Sequence, residues 1–352
     1  MNPSRGALTD FLRIAFDDAA QTRAWATRAD GNAAVLSAER HGLSAVMLHQ
    51  LRLHGATLGP DAMTLLGRHA AGIVLLNARH RRLLLRVVTA LEGLGVRPLV
   101  VKGWPLAADL YADPTLRPVL DVDVLVPPAD AERVARALEG PDLPRFVDTA
   151  VHDVFEDHHH IVLSGTGGTV EVHFRLLAVS GRAVFQPSDL FSSLRESDVL
   201  GHRIARLSLE HEFVYLAAHA ANHLFARLSW VLDLNLWLLK YGGADWAKIA
   251  RLARQAHLAT MVGCAMVAVE NLFGTKAPPL LREGLQVPAW KWAALTQVLS
   301  PQTLEDSRLS TQRLRPVLLR SVLADSVLDW AAFGRDAGVR GFRRALAALQ
   351  RA

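Results

Sequence analysis

Two aspartates two positions apart, Asp121 and Asp123, stand in the segment PVLDVDVLVPP, where acidic and apolar residues alternate. In an extended chain the side chains at i and i+2 leave the same face, so this pair projects together while Val122 and Val124 turn toward a core. Carboxylates held side by side repel and raise each other's pKa unless a cation or donor compensates, and a hard divalent ion is the natural compensation. The segment TVEVHFRLL has the same pattern, with Glu171 and His173 alternating with Val170, Val172 and Phe174. If the two strands are neighbours, three carboxylates converge on one open face. Such a cluster holds one or two magnesium ions, and two ions stabilise the attacking and leaving oxygens of a phosphoryl displacement.

A second group of residues suits a phosphate. VRPLVVKGW is a short β-rich run ended by glycine, and the following PLAADLYA has helical spacing. Gly103 at the strand exit lets backbone approach a ligand, and the next helix would offer its first N–H groups. Lys102 and Arg117 add fixed positive charge there. Only five of the 39 basic residues are Lys, so a Lys at this turn stands out. The patterns GxxxxGK[ST] and GxGxxG are absent, which removes the usual kinase and dehydrogenase frameworks.

Other polar residues are given plainer roles. Of His158, His159 and His160, alternate faces of a strand leave at most His158 and His160 together, so His160 is expected to line the cleft, with His173 beside it, rather than to bind zinc. His219 and His223 lie one helical turn apart without the glutamate of HExxH, and helix packing is the expectation. Trp230, Trp237, Trp246, Trp290 and Trp292 are expected to pack helices, and Cys264 to be inert.

The elements that must position these groups form three regions. Residues 1–95 read as helical, ending in the long run AMTLLGRHAAGIVLLNARHRRLLLRVVTALEGLG, with Gly59-Pro60-Asp61 as a loop and Asp61 as its helix cap. Residues 96–204 read as a mixed α/β core: a strand, a helix, the Asp121 strand, an amphipathic helix over 129–139, and a hairpin turning at Gly165-Thr166-Gly167-Gly168. Residues 205–352 return to helix. The fold class is α+β, a small mixed sheet with its own helices, flanked by helical regions on both sides.

With 352 residues, 51% of them hydrophobic and 21% charged, the chain is not dominantly disordered. Its longest apolar stretches, such as MVGCAMVAV, fall well short of the roughly 20 residues of a membrane span. One cysteine excludes an internal disulfide and any multi-Cys zinc site. The first residues lack a cationic head followed by an apolar block, and a cytoplasmic protein without a membrane partner is expected. The net charge of +5 is concentrated in residues 301–352, with nine Arg against five acids; nucleic-acid binding through that tail, including Arg343 and Arg344, is a lesser alternative to a solvated face.

The residues together resemble the uncharacterised nucleotidyltransferase family of the DNA polymerase β-like superfamily. The likeness runs through AERHGLSAVMLHQL, VVKGWPLAADLYADPTLRPVLDVDVLV, the hairpin strands HHHIVLSG and VEVHFRLL, and HAANHLFARLSWVLDLNLWL. The resemblance implies a nucleotidyltransferase-type sheet in which the two acidic strands are neighbours. It places Gly103 at the turn that holds nucleotide phosphates, and Asp121, Asp123 and Glu171 as catalytic metal ligands for magnesium, or manganese in its stead. Two features depart from the superfamily: Trp104 follows Gly103 where Ser or Gly is usual, so that Lys102 would replace the missing hydroxyl, and the separation from Gly103 to Asp121 is longer than common. The implied activity transfers NMP from an NTP such as ATP to a hydroxyl or phosphate of an acceptor, whether small molecule, peptide or protein. The alternative with the same fold is a non-catalytic nucleotide-binding or antitoxin-like interaction module.

Overall fold

The computed structural model describes residues 7–146, 160–179, 182–185, 187–306, 319 and 322–325. His158 and His159, and with them Arg343 and Arg344 of the basic tail, lie outside the described residues. The architecture is α+β, a six-stranded mixed sheet with helices before and after it.

Four short helices, Ala7–Ile14, Ala19–Ala26, Gly31–Arg40 and Ser44–Leu53, precede a 34-residue helix, Pro60–Gly93. Side-chain oxygens of Asp18 and Asp30 accept from Gln21 N–H (2.9 Å) and Ala33 N–H (3.1 Å), supplying partners that the first helical turn lacks. The long helix starts differently from expectation. Its cap is Gly59 and its first residue Pro60, whose fixed φ and missing N–H suit that position; Asp61 therefore sits within the first turn rather than capping it.

The sheet contains β1 (Leu99–Val100), β2 (Val122–Leu125), β3 (His160–Gly165), β4 (Gly168–His173), β7 (Arg195–Val199) and β8 (His202–Arg206), while β5 (Ala178–Val179) and β6 (Arg182–Ala183) form a separate pair. Its spatial order is β3-β4-β2-β1-β8-β7. β2 runs antiparallel to β1 and parallel to β4, and β8 runs parallel to β1. The sheet thus extends two strands beyond those read from sequence. β7, RESDV, alternates half-buried and exposed residues, so its only strong apolar signal is Val199 at the end.

Alternation divides the sheet into two faces. Val100, Val122, Val124, Val170 and Val172 pack with Leu83, Leu84, Val87 and Leu91 of the long helix and with Val134, Ala135 and Leu138 of the helix Ala131–Leu138. Leu99, Val101 and Leu125 join a larger core that includes Phe11 and Met47 from the first helices and Phe213, Tyr215 and Trp237 from the helices Leu209–Asn222 and Leu228–Lys240. The helices Trp246–Gln255, Ala259–Phe273, Pro279–Gly284, Ala289–Val298 and Pro301–Glu305 follow. Cys264 is fully buried in that core, where burial pushes its thiol up. Among the described residues, no helix is long and apolar enough to cross a membrane.

Two polar assemblies tie this frame together. Arg206 of β8 reaches Asp109 (2.8 Å) and Glu212 (2.6 Å), joining the sheet to two helices. Buried Glu305 accepts from the N–H groups of Leu8 (3.3 Å) and Thr9 (3.1 Å) and from the Ser37 hydroxyl (2.9 Å), fastening the last described helix to the first.

Candidate active site

The parallel register of β2 and β4 sets Asp123 opposite Glu171. Asp121 is just ahead of β2 and on the same side as Asp123, since the intervening Val122 belongs to the valine face. Carboxylate oxygens of Asp121, Asp123 and Glu171 lie within 4.8 Å of one another. The approach to Asp121 is fixed from behind: buried Asn77 of the long helix donates to the carbonyls of Thr115 (2.9 Å) and Arg117 (3.0 Å) and accepts from Val119 N–H (2.9 Å). This side chain carries no sequence motif, and only the fold shows its role.

Two cations meet the carboxylates. His173 Nε2 is 3.1 Å from Asp123 Oδ1 and 3.1 Å from Glu171 Oε2. Burial works against an imidazolium, but these two carboxylates outweigh it and push His173 up to about 9. Lys102 Nζ lies 3.3 Å from Asp123 Oδ1 and 3.5 Å from Asp121 Oδ2, with its side chain 14% exposed. Burial opposes its charge too, and Asp123 first among its anionic neighbours reverses the balance, so its pKa is raised. Asp121 is raised by burial and then by repulsion from Asp123. For Glu171, burial is outweighed by the hydrogen bond from His173, and its carboxyl is lowered. Asp123 is fully buried, and its Oδ2 has no donor among the described residues.

Lys102 reaches this position because β1 lies beside β2, with Val101 N–H donating to the Asp123 carbonyl at 3.1 Å. Gly103 then takes φ 77° and ψ −131°, a conformation that side-chain-bearing residues avoid, and starts the helix Trp104–Leu110. Trp104 is partly buried against the apolar cluster on the valine face. Arg117, anticipated near the nucleotide, is instead buried at 6% exposure with its guanidinium clamped by Asp233, Nε to Oδ1 at 2.9 Å and Nη2 to Oδ2 at 2.9 Å. Tyr111 donates to the same carboxylate at 2.7 Å.

A cavity of about 270 Å³ opens in front of the acids. Lys102, Asp121, Glu171, His160 and His173 of the sheet region line it together with Tyr215, His219, Asn222, His223 and Trp230 of the later helices, and with Leu176 and Leu177. His160 and His173 are also cross-strand partners, with ring centroids 5.0 Å apart. The helical wall is more than the helix packing anticipated for its histidines. His219 lies 4.6 Å from His223 and 5.0 Å from Trp230 between ring centroids. Burial, followed by the Lys102 charge, holds His219 well below the ordinary imidazole range, so this wall is uncharged at His219 while the sheet region is ionic. The backbone turns immediately afterwards through Leu224 and Phe225, both left-handed at φ 53° and 52°. The only sequence signal for the wall was HAANHL, which sets His219, Asn222 and His223 on one helical face.

A model of the uncharacterised nucleotidyltransferase family matches residues 28–274, a span that takes in every residue of this cavity. No curated protein matches the chain.

Proposed function

Because the chain belongs to the uncharacterised nucleotidyltransferase family and is thereby a transferase, we propose that it moves NMP from an NTP to a hydroxyl or phosphate of an acceptor and releases pyrophosphate. The observation that carries this reading is the β2–β4 register, which gathers Asp121, Asp123 and Glu171 together, with Asp121 and Glu171 lining a cavity. The donor set fits a hard divalent cation: three carboxylates with oxygens within 4.8 Å, and beside them a buried Asp123 Oδ2 that has no donor among the described residues. Asp121, Asp123 and Glu171 would hold magnesium or manganese. When bound, such an ion supplies positive charge to the phosphoryl oxygens and the leaving pyrophosphate.

The chain's own groups have separable tasks. Gly103 permits close approach of backbone at the exit of β1, where the triphosphate is placed, and Lys102 is the cation nearest to it. Glu171, at the cavity edge and lowered by His173, is an ionised carboxylate able to accept the acceptor's proton. Trp104 supports the turn from the valine face, and Arg117, its guanidinium engaged by Asp233, holds the segment before Asp121 in place. The wall of His219, His223 and Trp230 is the surface for a ring, of base or acceptor.

Calorimetric titration with ATP, GTP, CTP and UTP, with and without magnesium, tests the reading without knowledge of the acceptor. Magnesium-dependent binding of at least one NTP is expected, weakened about 100-fold or more in Asp121→Asn. Equal binding by the variant, or no NTP binding by folded wild-type protein, would favour the non-catalytic module.

A further inference from the structure

Lys102 and a divalent ion draw on the same carboxylates. Its ammonium bridges Asp123 Oδ1 at 3.3 Å and Asp121 Oδ2 at 3.5 Å, and these are two of the three carboxylates that make up the candidate metal site. Unit and double positive charges a few ångströms apart repel strongly in a site this poorly solvated, so the two cannot share those carboxylates at full strength. Lys102 is also built to leave. An ammonium on a four-carbon stem forms no fixed bidentate fork, unlike Arg117 on Asp233, and it borders the open cavity rather than closed core. Formal charge points the same way: three carboxylates against the His173 imidazolium leave two negative charges, which a divalent ion neutralises once the ammonium turns to another anion.

We propose that Lys102 is an exchangeable counter-ion: it neutralises Asp121 and Asp123 in the metal-free protein, yields them to the divalent ion, and transfers its charge to the triphosphate. The inference rests on the metal and NTP reading given above. It adds a linkage to that reading: metal and triphosphate each bind weakly alone and strengthen one another, because each supplies what Lys102 must exchange. The triphosphate group, not the base, is the ligand Lys102 selects.

Binding of Mn²⁺, followed by electron paramagnetic resonance of the free ion, separates the possibilities on wild type, Lys102→Met and Lys102→Gln, each checked for folding by near-UV circular dichroism. Both variants should bind Mn²⁺ alone at least about tenfold tighter than wild type. At saturating Mn²⁺, inorganic tripolyphosphate should bind them about tenfold more weakly by calorimetry. Folded variants that bind Mn²⁺ no tighter than wild type would overturn the counter-ion role while leaving the metal site standing. Absence of Mn²⁺ binding by all three proteins would instead remove the metal reading and this inference with it. Should neither variant fold, wild type labelled with isotopic lysine still reports, since it has only five lysines. One side-chain resonance should shift on saturation with Mg²⁺, and five unmoved resonances would overturn the proposal.

Discussion

His173 touches two of the three acids, and its side chain is only 5% exposed, so its proton is coupled to the integrity of the site. Its folded pKa of about 9 lies above the roughly 6.5 of an unfolded chain. A raised pKa means that the folded state binds the proton more tightly; this stabilisation is complete below pH 6.5 and is lost as pH rises toward 9. Urea unfolding in chelator should therefore show a falling midpoint across that window, by up to about 3 kcal/mol, and His173→Gln should flatten the slope. An unchanged slope in the variant would place the titrating group elsewhere. The acids and His173 were legible because alternation in a strand fixes which side chains share a face. Arg117 was not, since its partner Asp233 is 116 residues away and nothing local distinguishes a guanidinium bound for phosphate from one bound for a buried carboxylate.

Between residue and fold stands the loop from the helix Trp104–Leu110 to β2, whose course decides where Asp121 points. Asn77 makes three hydrogen bonds to it from a helix that packs on the opposite face of the sheet. Replacing it by alanine leaves two backbone carbonyls and one N–H without partners, a cost of about 3 kcal/mol or more. Asn77→Ala should lower the urea midpoint accordingly and, where it folds, weaken magnesium-dependent NTP binding although Asn77 contacts no ligand. Loss of stability with unchanged binding would show that β2 alone sets the acids. At this scale the sequence was readable where elements are amphipathic: the long helix, the valine strands and the β3–β4 hairpin all follow from apolar spacing. It was silent on β7 and on the parallel pairing of β1 with β8, because a polar edge strand has little periodic signal and pairing across 100 residues leaves none.

At the scale of the whole chain, the helices before the sheet and those after it share one apolar core, and Glu305 joins their ends through three hydrogen bonds. Glu305→Ala removes the acceptor from buried Leu8 and Thr9 N–H groups, costing about 2 kcal/mol or more. Hydrogen exchange should rise first in the helix Ala7–Ile14, ahead of the sheet, and uniform acceleration would mean that the ends and the sheet unfold as one unit. The cavity shows a related dependence, for its acids come from the entry to β2 and from β4 while His219, Asn222 and Trp230 come from helices beyond residue 205. The acidic strands are therefore not a portable cassette. Excised as residues 96–204 they would carry every carboxylate of the site yet lose Tyr215, His219, Asn222, His223 and Trp230, so the helices beyond the sheet shape the cavity as much as the acidic strands do.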